Sequence, residues 1–141
     1  MKKSFALAAM AAAIMMSCGS TKSVSDVAAL NGEWNIVEVD GNKINPADAE
    51  EAPFLGFDAS ESRVYGCTGC NRLTGAVKMD SKGNIDFSQT GSTRMMCANM
   101  KVERMVLDAL GKTSKFALSG SDRLSLNDAA GKAVIVLEKR K

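Results

Sequence analysis

Three cysteines in the interior of the chain pose the first chemical question. Cys67-Thr68-Gly69-Cys70 has the spacing of a thiol–disulfide exchange pair, and Cys97 follows further along. Such a pair works when its first cysteine sits at a helix N-terminus that stabilises the thiolate. Here a β-branched and aromatic stretch, Arg63-Val64-Tyr65, precedes the motif, and Asn71-Arg72-Leu73-Thr74-Gly75 after it does not read as a helix start. Zinc is poorly served, because the 141 residues include no histidine and Cys97 adds only a third sulfur ligand. The missing histidine also removes serine–histidine and cysteine–histidine nucleophile pairs and haem attachment through Cys-x-x-Cys-His. The plainer chemistry is a staple between the 67–70 loop and the segment around Cys97. Residue types leave the pairing open: Cys70 or Cys67 can be the partner of Cys97, and the third thiol is then free, competing or buried. A Cys70–Cys97 bridge would close a long loop and contribute about 3–4 kcal/mol in the chain-entropy account.

Other side chains near these cysteines admit two readings each. Arg72 and Arg94, beside Asn71 and Thr93, offer a polar or anionic ligand something to bind, but Asn and Arg in loops more often satisfy neighbouring backbone groups. Met95, Met96, Met100 and Met105 form a soft apolar group that suits a lipid or hydrophobic-peptide groove, although filling a core beneath a helix is the commoner use. Glu50-Glu51 lies in a solvated loop without the shielding that acid–base work needs. The Asp-x-x-Gly turns lack the alternating oxygen ligands of a calcium loop. No catalytic residue, metal or other cofactor is expected.

The fourth cysteine belongs to a different argument. Lys2 and Lys3 followed by an Ala- and Met-rich run to Met16 read as a secretory signal over residues 1–17, too short to span a membrane. Ser17-Cys18 at its end resembles a lipobox, with Met15 where Leu is usual, so Cys18 is the expected lipidation site and membrane anchor. Lys2 and Lys3 account for the whole excess of 18 basic over 16 acidic residues. A chain starting at Cys18 is therefore formally neutral, which offers nothing to a nucleic acid. Residues 18–27, polar and Ser-rich, read as a flexible tether, and 28–141 as one domain.

The elements that must position the cysteines follow from period and turn signals. Glu33 to Val39 is a strand ending at Asp40-Gly41-Asn42, and Ile44 to Pro53 is a loop with a helical turn from Pro46. Phe54–Asp58 with Arg63–Cys67, and Leu73–Met79 with Asn84–Ser88, read as hairpins. Lys115–Leu118, Arg123–Asn127 and Ala133–Glu138 read as a C-terminal meander. Val102, Met105, Val106, Ala109 and Leu110 form the apolar stripe of a single helix, with Asn99 as N-cap, Glu103 in its first turns and Gly111 as C-cap. The result is an α+β domain of about eight antiparallel strands with one helix inserted late.

The order Gly32-x-Trp34, Phe57-Asp58, Gly69-Cys70-Asn71-Arg72-x-x-Gly75, then Thr93-Arg94-Met95-Met96-Cys97 and Glu103 resembles the META (HslJ-like) domain family. The resemblance covers roughly residues 28–138. It implies an antiparallel sheet curled into an incomplete barrel with one helix, a pairing of Cys70 with Cys97, and motif roles for Gly69, Asn71, Arg72, Gly75, Thr93, Arg94 and Met95. Cys67 departs from the family pattern. The family carries no assigned catalytic residues and is associated with bacterial stress tolerance.

The expected protein is thus a non-catalytic lipoprotein of the bacterial cell envelope, anchored at Cys18, that binds or stabilises an envelope protein or hydrophobic ligand under stress. The alternatives are a thiol-redox protein using Cys67 and Cys70, or a carrier of a lipid or hydrophobic peptide.

Overall fold

The computed structural model describes residues 26–141. The signal segment, Cys18 with its lipidation and the tether up to Ser25 lie outside the described residues. Val27 already packs against the core, so the last residue read as tether contributes to the folded domain.

A 3-10 turn, Ala28–Leu30, leads into β1 (Gly32–Val39). Next come β2 (Asn42–Lys43), a 3-10 turn at Pro46–Asp48, β3 (Phe54–Asp58), β4 (Arg63–Cys67) and β5 (Arg72–Ala76). The chain continues through β6 (Lys78–Met79), β7 (Ile85–Asp86), β8 (Thr90–Ser92) and helix α1 (Lys101–Lys112), and ends in β9 (Lys115–Ser119), β10 (Arg123–Asn127) and β11 (Ala133–Lys139). The main sheet is antiparallel, in the order β8-β5-β4-β3-β1-β11-β10-β9, with β2 also on β1. Its first and last strands do not pair. The β6–β7 ribbon reaches across to β9, where Ile85 N–H donates to Ser114 O and Phe116 N–H to Gly83 O. The barrel is curled but incomplete.

Alternation decides which face is inside. Trp34, Leu55, Val64, Leu124, Leu126, Ile135 and Leu137 are fully buried and face one core, because residues two apart on a strand share a face. Trp34 also satisfies its indole N–H, which donates to Leu30 O at 2.8 Å. The helix packs on β11 and β1 and seals the core with Val102, Val106, Ala109 and Leu110. No helix among the described residues is long and apolar enough to cross a membrane.

Three local expectations are corrected. The hairpin expected over Leu73–Met79 and Asn84–Ser88 is divided: β5 pairs with β4 and β8, and only Lys78–Met79 with Ile85–Asp86 form the ribbon. The division falls at Val77, whose side chain is buried and whose N–H donates to Ser62 O, turning the chain between the two pairings. Gly111 is not the C-cap. The helix runs one residue further and is closed by Thr113, whose N–H donates to Leu110 O and whose hydroxyl donates to Ala109 O. Asn99 lies one residue before the N-cap, Met100, although its Oδ1 still accepts the Lys101 N–H at 3.0 Å.

Candidate functional site

The Cys67–Asn71 loop connects β4 to β5 and sits against the start of α1. Gly69 makes that approach feasible. Its φ is +123°, and a Cβ there would lie 3.1 Å from both the Glu103 amide nitrogen and Val102 Cγ1. The loop is closed by the Thr68 N–H donating to Asn71 O.

What the loop encloses is the carboxylate of Glu103, only 2% exposed. Its Oε2 accepts from the Thr68 hydroxyl at 2.6 Å, the Cys70 N–H at 3.0 Å and the Asn71 N–H at 3.2 Å. Its Oε1 accepts from Asn71 Nδ2 at 3.0 Å. No basic side chain among the described residues forms an ion pair with it. Burial pushes the Glu103 carboxyl up, but the hydrogen bonds from Thr68, Asn71 and Cys70 outweigh burial and hold it below the ordinary glutamate range. The group is a charge neutralised by dipoles alone.

Asn71 carries the connection onward. Its Nδ2 also donates to Met95 O at 3.2 Å, and its Oδ1 accepts from the Met95 N–H at 2.6 Å and the Thr93 hydroxyl at 2.9 Å. Thr93 in turn accepts the Arg72 N–H through its Oγ1 and donates its own N–H to Arg72 O. Cys70 and Cys97 form a disulfide with Cα atoms 6.0 Å apart. The loop, the 93–97 segment and the helix are therefore joined by one covalent bond and one network, as the resemblance implied for Cys70 and Cys97.

Cys67 is free and buried. Register places it opposite Phe54 and Arg72. Burial pushes its thiol pKa up, against a lowering contribution from the Gly69 N–H. Gly75, further along the motif, lies so close to Gln89 O that a Cβ would stand 2.5 Å from it, so it serves the β5–β8 contact and not the network.

Above the disulfide runs a groove of about 550 Å³, lined in part by Glu51, Cys70, Arg72, Met95, Met96 and Cys97. Arg72 bonds Glu51 at 2.7 Å on the surface. Its side chain thus does not satisfy the loop carbonyls, a task left to Asn71 and backbone groups. Arg94 is exposed. The core-filling use expected of Met95 and Met96 is overturned: they are 53% and 83% exposed. The 93–97 segment is held by the Thr93 hydroxyl, the Met95 backbone and the Cys97 disulfide, which leaves the Met95 and Met96 side chains pointing outward. Met105 does pack against the core. A second cavity, about 390 Å³ between the β6–β7 ribbon and Ser114, contains none of the residues singled out by motif.

Glu103 and Thr68 were missed as site residues: Glu103 was placed in the helix's first turns and among the residues carrying the resemblance, with no role in a site, and Thr68 only inside the Cys-x-x-Cys spacing. The signal was available: Glu103 precedes Val106 by three and Leu110 by seven, which puts a carboxylate inside the apolar stripe.

Fold and network together define a class: an α+β domain with an open antiparallel barrel, in which the one α-helix among the described residues is pinned to the sheet through a buried carboxylate and a disulfide. The chain belongs to the META domain family, whose family model matches residues 26–141. It resembles the NMR structure of a protein from Burkholderia xenovorans, with a TM-score of 0.61 and 20% identity over 100% of this chain and 99% of that one. It also resembles the crystal structure of a DUF4847 family protein from Bacteroides vulgatus, with a TM-score of 0.55 and 16% identity over 79% of this chain and 94% of that one. At such identities the likeness is one of fold. No curated protein matches the chain.

Proposed function

We propose that this META domain is a non-catalytic binding module of the bacterial cell envelope, exported by the 1–17 signal, lipidated at Cys18 and acting under envelope stress. The observation that carries the reading is how the conspicuous polar groups are used. The Glu103 carboxylate accepts from Thr68, Cys70 and Asn71, and Asn71 is occupied on both its amide atoms. Groups so engaged hold structure together and are poor candidates for acid–base work. What the same loops present outward is a groove edged by two exposed methionines, and exposed large apolar side chains in one place mark contact surfaces.

The redox alternative gains no support from this arrangement. Cys70 is bonded to Cys97, and Cys67 is buried with its thiol pKa raised.

Two measurements in the bacterium test the proposal. Labelled palmitate should enter the wild-type chain and not a Cys18→Ser variant, and equal labelling would refute the anchor. A photo-crosslinking residue at position 96 should trap a defined envelope component that the same residue at Lys132 does not. Identical or absent products at the two positions would refute the groove as a contact surface.

A further inference from the structure

The sulfur atoms of the described residues differ sharply in exposure. In an oxidising compartment a free thiol is ordinarily the first sulfur to react, through its thiolate. Here Cys70 and Cys97 are already bonded, and Cys67, the remaining thiol among the described residues, is fully buried with burial disfavouring the thiolate. Among the described methionines, Met79 and Met105 pack against the core, and Met100 Sδ accepts the Cys97 N–H at 3.4 Å. The thioethers of Met95 and Met96 stand in contrast, at 53% and 83% exposure on adjacent residues.

We infer that the Met95–Met96 pair is a site of reversible oxidation to methionine sulfoxide by hypochlorous acid or a peroxide. In each event one oxygen is transferred to the thioether, so that one sulfur–oxygen bond forms and the sulfur is oxidised by two electrons. Hypochlorous acid is reduced to chloride with release of a proton, and hydrogen peroxide to water. Sulfoxide is polar where thioether is apolar, so the lip of the groove changes character.

The fold is built to survive this change. Met95 is tied to the rest of the domain by its backbone, its N–H donating to Asn71 Oδ1 and its carbonyl accepting from Asn71 Nδ2. Oxidation of an outward side chain leaves those bonds, the Glu103 network and the disulfide untouched.

The test is peptide mapping of the folded protein after substoichiometric hypochlorous acid and, separately, hydrogen peroxide, with quenching by free methionine and alkylation of thiols after denaturation. Sulfoxide at Met95 and Met96 should exceed that at Met79 and Met105 by about 10-fold, while Cys67 stays fully alkylatable. Protein denatured before treatment should lose Cys67 first. Methionine sulfoxide reductases A and B together, supplied with a dithiol that is oxidised to its disulfide while the sulfoxide oxygen leaves as water, should return the oxidised pair to thioethers, and the thermal midpoint should be the same before oxidation, after it, and in a Met95→Leu/Met96→Leu variant. Oxidation of Cys67 at or below the dose that modifies the pair, an even spread of sulfoxide, or the same order in the denatured chain would overturn the inference.

Discussion

Replacing Glu103 with Gln should cost this domain about 3 kcal/mol at neutral pH. The substitution keeps size and shape but removes the charge and places an NH2 group among donors. In the wild type Oε2 receives three donors and Oε1 a fourth. A Gln amide can keep its oxygen at the three-donor position, and its nitrogen then faces Asn71 Nδ2, donor against donor. Flipped, it sets that nitrogen against the N–H groups of Cys70 and Asn71, which is worse. The better orientation loses one bond, at about 1–3 kcal/mol for the unsatisfied group. It also weakens the other three from charge-assisted to neutral, roughly halving each.

For a domain of this size about 3 kcal/mol corresponds to a fall of about 10 °C in thermal midpoint. The assay is urea unfolding with the disulfide kept oxidised, followed by the fluorescence of Trp34, the single tryptophan, which is fully buried. The sign of the pH dependence discriminates further. The Glu103 pKa is lower in the folded chain than its unfolded value of about 4.3. Its contribution is therefore complete above that value and lost as pH falls through the folded one. The difference between wild type and variant should stay constant above about pH 5 and shrink on further acidification. Asp58, Asp80 and Asp86, whose pKa values are also lowered, are common to both proteins and cancel in the difference. A loss below about 0.5 kcal/mol, or a gap that ignores acid, would refute the reading of Glu103 as a charged acceptor.

Three further outcomes follow from the same geometry. Asn71→Asp brings a second carboxyl to the position now 3.0 Å from Glu103 Oε1, so the pair retains a proton in the folded state. Thermal midpoints of that variant should fall, not rise, as pH climbs above the ordinary carboxylate range. Gly69→Ala, with φ at +123° and a Cβ 3.1 Å from the Glu103 amide nitrogen, should lose about 1–3 kcal/mol in urea titrations while mass spectrometry finds the disulfide intact. Cys97→Ser should lose about 3–4 kcal/mol, and reductant should lower the wild-type midpoint towards that of the variant while leaving the variant's unchanged.

Much of the fold was legible in the chain because it depends on local chemistry. Period-two alternation in Arg123–Asn127 and the stripe Val102, Val106, Ala109, Leu110 each report a single element's buried face, and the Asp40-Gly41 and Gly120-containing turns punctuate them. Boundaries failed where tertiary contacts outbid local signals. Val77 turns the chain because its N–H finds Ser62 O, and Gly111 is passed over because Thr113 supplies two bonds of its own. The motif residues were likewise visible as types, but their roles were not. Met95 and Met96 carry the composition of a core, yet they face solvent because their segment is fastened by Thr93, the Met95 backbone and Cys97.

By itself the sequence determined the α+β class, the helix at Lys101–Lys112, the neutral charge beyond Lys3 and the want of histidine chemistry, all of which are properties of residue type and spacing. Residue types left open which cysteine Cys97 takes and the resemblance implied Cys70; the tertiary structure pairs the two, leaves Cys67 sealed, and alone decided that Glu103 is a structural acceptor. The physical reason is the same in both cases. Pairing of two sulfurs, or satisfaction of a buried charge, depends on which groups from distant parts of the chain arrive within bonding distance, and the 67–71 loop meets α1 and the 93–97 segment only once the sheet has curled.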